Sequence, residues 1–181
     1  MRRKQIHIRN LILLLLGIFL LNVLGSVFFG RFDLTKDKRY TLSETSKNLV
    51  FNLDSPIIID VFLKGNFPSE FKRLQSETRQ LLEEFQAVNS NVQFQFINPL
   101  EKEEDPETIR QQLIQFGLNP AQVEVRESGK VVTEQIYPWA LAFHNDKTVK
   151  IPLLKNQIGA TSEERVNNSI QNLEYAFADG F

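Results

Sequence analysis

Leu11 to Phe29, LILLLLGIFLLNVLGSVFF, is an uncharged run of nineteen residues, and it dictates how the rest of the chain must be divided. Wound as a helix at about 1.5 Å per residue it reaches about 28 Å, enough to cross a bilayer. The residues before it carry Arg2, Arg3, Lys4 and Arg9 and no acid. A cleavable signal would have an apolar core of about 7 to 15 residues and a small-x-small cleavage site; this run ends in Val27-Phe28-Phe29-Gly30. We therefore expect a basic cytoplasmic tail over 1–10 and an uncleaved signal anchor over 11–30, with Leu11, Leu16, Phe19, Leu24 and Phe29 in lipid. Arg31, Lys36, Lys38 and Arg39 balance the basic residues of the tail, so the orientation rests on the short acid-free tail. Everything past residue 30 is then expected in the periplasm, held to the inner membrane. Ser26 and Gly30 form a small-xxx-small pair, a spacing suited to helix packing in membranes but also common by chance.

Past residue 30 there are seventeen Lys and Arg against twenty-two Asp and Glu, a net charge of about −5. That is the wrong sign for a nucleic-acid binder. The absence of cysteine excludes disulfides, thiol catalysis and Fe–S clusters, and His7 and His144 alone leave no His/Cys metal centre. No glycine-rich phosphate loop occurs, so the chain is not itself an ATPase.

Thr41-Leu42-Ser43-Glu44 has the spacing of a capping box. It predicts a short helix with Leu42, Leu49, Val50 and Leu53 on one face, stopped at Asp54-Ser55-Pro56; residues 31–55 are thus a juxtamembrane segment and a capped helix. Ile57 to Leu63 has the β-branched character of a buried strand. Phe67-Pro68-Ser69 opens a long helix with Phe67, Phe71, Leu74, Thr78, Leu81, Leu82, Phe85 and Val88 on its stripe, and Val92 to Phe96 alternates as a strand. Asp105-Pro106 caps a third helix that uses Ile109, Leu113 and Phe116 as its apolar face and closes at Gly117. A hairpin turns at Ser128-Gly129, and Trp139–Phe143 and Lys147–Ile151 form a second, turning at Asn145-Asp146 with Val149 and Ile151 inward. Thr161-Ser162-Glu163-Glu164 is a second capping box, opening one helix with Val166, Ile170, Leu173 and Phe177 on a face.

That order resembles the thioredoxin fold. The resemblance implies an α/β domain over 56–181, a central mixed sheet flanked by helices with an inserted β-hairpin. Pro138 stands before WALAFHND where thioredoxins carry a cis-proline, and Asp60 in IIIDVF stands where they bury a carboxylate. Where that family has Cys-x-x-Cys, this chain has Lys64-Gly65-Asn66-Phe67-Pro68-Ser69, so the redox chemistry is absent. Asp60 is then a carboxylate at the rim of the sheet or hydrogen-bonded locally. The acids at 101, 103, 104 and 105 match no calcium loop and suit a helix N-terminus. Ser43, Ser46 and Ser162 have no histidine beside them in sequence, and the Asn167-Asn168-Ser169 sequon falls inside a helix. Trp139 suits the core, while Tyr40 suits a partner or the membrane interface equally.

Several motifs in order resemble the gliding-motility-associated ABC-transporter auxiliary family GldG of Bacteroidetes-type bacteria. They are the anchor, then Phe32-Asp33-Leu34-Thr35 with Asp37-Lys38-Arg39-Tyr40-Thr41-Leu42-Ser43, Phe67-Pro68 with Phe71-Lys72-Arg73-Leu74, Glu77 to Phe85, Ile97-Asn98-Pro99, and Val166 to Tyr175. This chain is similar to the N-terminal part of that longer family. The resemblance implies a non-enzymatic, cofactor-free auxiliary or substrate-binding-type subunit, partnered by a separate ABC permease and ATPase. Lys36, Lys38, Arg39 and Tyr40 are the candidate contacts, with lipid headgroups or with a permease loop. A single domain of this type has no two-lobed hinge, so protein partners are expected rather than a small solute. The alternative is an envelope scaffold with no transport role.

Overall fold

A computed structural model of the chain describes residues 2–27, 42–101, 105–127 and 130–181. Two compact units divide after Lys38. The described part of the first is one helix, α1 (Arg2–Val27). From Leu13 to Leu21 every leucine, isoleucine and phenylalanine on it is exposed, so the apolar side chains ring the helix instead of forming a stripe. Among the described residues no helix is long and apolar enough to cross a membrane. The uncharged run in the sequence continues to Phe29, past the end of α1 at Val27.

The second unit opens with α2 (Glu44–Phe51). Its cap is Ser43, whose Oγ accepts the Ser46 N–H at 3.2 Å, and not Thr41, which lies outside the described residues. Ser43 has the extended backbone of a cap, with φ −61° and ψ 153°; Glu174 reaches in from the far end of the chain and accepts the Ser43 N–H at 2.8 Å, while Glu44 accepts from Lys47 Nζ at 2.9 Å. At the other end of α2, the Asn89 amide donates to the carbonyls of Val50 and Leu53, each at 3.0 Å, and the Asn91 amide donates to Leu53 at 2.8 Å. The Val50 carbonyl also accepts the Leu53 N–H at 3.2 Å, so the two asparagines fasten the end of α2 and the residues just past it to the turn after α3.

The elements that follow are β1 (Ile57–Val61), α3 (Ser69–Val88), β2 (Val92–Phe96), α4 (Pro106–Gln115), β3 (Ala121–Glu127), β4 (Lys130–Ile136), β5 (Trp139–His144), β6 (Lys147–Pro152), α5 (Ser162–Ile170) and α6 (Leu173–Gly180). A four-stranded mixed sheet has the order β2-β1-β5-β6, with β1 parallel to β2 and antiparallel to β5, and β5 antiparallel to β6. β3 and β4 form a separate two-stranded sheet, in register from Ala121↔Ile136 to Glu127↔Lys130. Period-two alternation gives the main sheet two unlike faces. Ile57, Ile59, Val61, Ala140, Ala142 and Ile151 bury one face in the core with Phe71, Leu74, Leu82 and Phe85 of α3 and Phe177 of α6. Each such large side chain contributes about 1.5–3 kcal/mol by leaving water. The opposite face carries Trp139 and Leu141 beside the smaller cluster of Phe62, Leu118 and Tyr137, which Leu113 of α4 joins.

α4 starts as its sequence implies, with Asp105 accepting from the Glu107 and Thr108 N–H groups and Pro106 in the first turn. The Thr108 hydroxyl and the two amides hold the Asp105 carboxyl below its ordinary value. It ends in a Schellman turn: Gly117 has φ of 86°, and the Leu118 and Gly117 N–H groups return to the carbonyls of Leu113 and Ile114. The last helix is not one helix. Thr161 and Glu164 do form the capping box of α5, but Ser169 turns its hydroxyl back to the Arg165 carbonyl at 2.6 Å and accepts the Lys155 N–H at 2.8 Å. Back-bonding of this kind bends helices, and the chain restarts as α6 at Leu173. The peptide before Pro138 is trans, as is every described peptide bond. At that point the Trp139 N–H closes a tight turn onto the Tyr137 carbonyl at 2.9 Å.

Two stability predictions follow from these contacts. Thr78 is fully buried on α3, and its hydroxyl has no hydrogen-bond partner; Thr78→Val is expected to stabilise the domain by about 1 kcal/mol, since the shape is kept and an unsatisfied polar group is removed. Burial works against the charge of Glu174, but the Ser43 and Ser46 hydroxyls, the Ser43 N–H and the Lys47 ammonium outweigh it and hold the carboxyl below its ordinary value of 4.5. A depressed pKa contributes stability above the unfolded value and loses it as pH falls through the folded one. Glu174→Gln is therefore expected to cost about 1 kcal/mol at pH 7, with the difference from the parent closing as pH drops below 4.5. Denaturant unfolding followed by the fluorescence of Trp139, the single tryptophan, checks both.

Candidate functional site

β6 is the last strand of the main sheet, so among the described residues one of its edges has no strand beside it. Its sequence, KTVKIP, carries two lysines and a closing proline, the composition of a strand that stays at an edge. The Asn145-Asp146 turn before it has positive φ at both residues, 44° and 61°, as a two-residue hairpin of the primed type requires. A groove of about 590 Å³ runs beside this strand.

Its two walls come from opposite faces of the sheet. On the core side, α6 lies so close to β6 that a Cβ on Gly180 would stand 2.7 Å from the Ile151 Cδ1 atom. That approach needs glycine, and it leaves Tyr175, Ala176 and Asp179 beside the groove. On the other side the turn after α4 is pinned twice. Lys150 Nζ donates to the Phe116 carbonyl at 2.9 Å and lies 4.9 Å from the centre of that ring, and Trp139 Nε1 donates to the Asn119 carbonyl at 2.8 Å. An ammonium on the C-terminal carbonyl of α4 also offsets the negative end of the helix dipole.

Lys150, Lys155 and Arg165 line the groove with Asp179 as the one acid among its lining residues. Among the described residues none of these three cations has a carboxylate within ion-pair distance, and the Arg165 Nε is buried without an acceptor. Tyr175 is 68 % exposed and Val149 40 %. Val149 pairs with Ala142 on the core side of the sheet, as alternation implies, but stays open to the groove instead of turning fully inward. The arrangement offers cations, an apolar floor and a free strand edge, which is binding chemistry.

The residues singled out from sequence fall elsewhere. Leu16 and Phe19 are exposed on α1, and Leu11 and Leu24 lie within that helix. Phe29, Lys36, Lys38, Arg39 and Tyr40 lie outside the described residues. Asp60 is half-buried on the sheet face opposite the core and accepts from Gln95 Nε2 at 2.7 Å, a local bond. His144 has a serine neighbour that spacing alone did not reveal: Ser55 Oγ is 3.4 Å from its Nε2. Asn145 Nδ2 reaches the same nitrogen at 2.9 Å, Asn145 Oδ1 accepts from Ser55, and His144 Nδ1 faces the Pro56 carbonyl at 3.3 Å. These contacts latch the hairpin turn to the start of β1. Among the described residues no cluster of His, Asp and Glu could hold a metal ion. The groove cations were missed because they come from β6, the following loop and α5; the lysines and proline of KTVKIP were the one signal available.

The family model described as "Domain of unknown function (DUF7088)" matches residues 36–143, more than half of the chain. The match ends before β6, so the groove is built partly by residues beyond it. An uncharacterized protein of Borreliella burgdorferi (strain B31) is 25 % identical over 180 residues, covering 99 % of this chain and 32 % of its own length. The chain therefore spans about a third of that relative. No solved structure matches. With its α2, both central strand pairings and the β3–β4 hairpin inside the matched range, the chain belongs to the DUF7088 family of domains of unknown function.

Proposed function

We propose that this chain is a membrane-anchored, non-catalytic docking subunit of an ABC-type assembly in the bacterial envelope, with a separate permease and ATPase as partners. The observation that carries the reading is α1, whose apolar side chains from Leu13 to Leu21 are exposed all round the helix. An all-round apolar helix needs a cover, protein or lipid, and the uncharged run extends from Leu11 to Phe29 in the sequence. The short, acid-free N-terminal tail favours a cytoplasmic N-terminus, and the α/β unit is then periplasmic. The sheet order β2-β1-β5-β6, with only β1 and β2 parallel, supports a thioredoxin-like ancestry in which the segment 64–69 has no thiol. The transporter and gliding-motility assignment rests on the motif resemblance, from the anchor to Val166–Tyr175, and the envelope scaffold is its rival.

Two measurements separate the parts of this reading. The double variant Leu16→Lys/Phe19→Lys places two charges at the middle of the run, each costing about 2.5–3.5 kcal/mol on insertion. It is expected to move the chain from the membrane fraction to the soluble or aggregated fraction; retention at the membrane would sink the anchor. Affinity purification of the full protein from native membranes in mild detergent, against an anchor-only control, is expected to retain an ABC permease and ATPase only when the α/β unit is present. Recovery of other envelope proteins without them would hand the function to the scaffold.

A further inference from the structure

We infer that the free edge of β6 and the groove beside it accept an extended, acidic segment of a partner protein, which adds to the main sheet as a fifth strand. The inference goes beyond the transporter reading and stands or falls separately from it.

The backbone supplies the first half of the argument. With a two-residue turn, His144 and Lys147 are a hydrogen-bonded pair, and the register runs on through Ala142↔Val149 and Ala140↔Ile151. In antiparallel ladders such pairs alternate with pairs whose N–H and C=O groups point away. Val149 and Ile151 therefore face β5, while the N–H groups of Thr148 and Lys150 and the carbonyls of Thr148, Lys150 and Pro152 face outward. Pro152 takes an outward position, where its missing N–H costs no ladder bond. An added strand meets a short row of donors and acceptors in a slot walled by α6 on one side and the turn after α4 on the other. Strand addition of this kind draws affinity from the main chain and specificity from side-chain pockets.

Charge selects the occupant. Lys150, Lys155 and Arg165 face the groove against Asp179, and the Arg165 Nε–H has no acceptor. An incoming carboxylate would meet the Lys155 ammonium and the Arg165 guanidinium, neither of which has a carboxylate partner among the described residues, and charge-assisted hydrogen bonds are the strong ones. A second copy of this edge is a poor occupant. KTVKIP has two lysines and no acid, so pairing β6 with itself would crowd like charges along the joint. Apolar residues alternating with the acids have Tyr175, Val149 and Leu154 to cover.

The test uses the full chain in nonionic detergent and two labelled, end-capped eight-residue peptides, one alternating glutamate with valine and the other lysine with valine. Fluorescence anisotropy is expected to show the glutamate peptide binding at least about tenfold more tightly than the lysine peptide, with the difference shrinking as salt is raised. Lys155→Glu is expected to weaken it several-fold. Thr148→Pro removes an outward N–H without touching the β5 ladder, and it is expected to weaken binding about tenfold. On the parent chain, hydrogen exchange at the Thr148 and Lys150 amides is expected to slow on saturation with the glutamate peptide, a readout that needs no variant to fold. Equal binding of both peptides, no binding at millimolar concentration, or unchanged exchange at those two amides would overturn the proposal. So would concentration-dependent dimerisation that Thr148→Pro abolishes, which would make a second copy the occupant.

Discussion

The burial of one face of β1 is the constraint on which the rest of the structure depends. Ile57, Ile59 and Val61 lose essentially all exposure, and a central strand can do so only if it has partners on both edges and a layer over its face. β2 and β5 supply the edges, and α3 supplies much of the layer through Phe71, Leu74, Leu82 and Phe85. The parallel β1–β2 pair requires a crossover connection, and α3 is that crossover, so the strand pairing and the covering helix are one decision. Ile58 and Asp60, pointing the other way, remain partly open.

Helix ends are where this domain ties distant parts of the chain together. Asn89 and Asn91, just past α3, take up the Val50 carbonyl near the end of α2 and the Leu53 carbonyl just beyond it. Glu174 of α6 takes up the first amide before α2, across 131 residues. Lys150 of β6 takes up the last carbonyl of α4. The Glu174 and Lys150 bonds answer the same need, because the first N–H and last C=O groups of a helix have no partner of their own. The last of these has a second effect: it holds the α4 turn beside the β6 edge, and with Gly180 admitting α6 on the other side it creates the groove. The binding surface is thus a by-product of how two helices are finished.

Local signals carried much of the fold. Asp105-Pro106, Gly117, the Asn145-Asp146 turn and the Thr161–Glu164 box each act through contacts within a few residues, and each stands where its chemistry implies. The failures involve partners far away in sequence. Thr41 and Glu44 have capping-box spacing, yet Ser43 caps α2, with its own N–H held by Glu174 from 131 residues away. Val166 to Phe177 has one helix's periodicity, yet Ser169, bonded to Lys155, breaks it. Ser55, in the loop before β1, meets His144 at the end of β5, a pair that no spacing rule connects.

By itself, the sequence determined the uncharged run, the element order as far as α5, the buried stripes of α3 and β1, and the want of thiols. These depend on composition and on periods of two and 3.6, which any short window displays. Only the tertiary structure decided which strand is left at the edge, which cations gather there, and which helix walls stand on either side. Lys150, Lys155, Arg165 and Tyr175 come from one strand, one loop and two helices. Their meeting follows from the sheet order β2-β1-β5-β6, and sheet order is set by the packing of whole faces, a quantity that no local pattern carries.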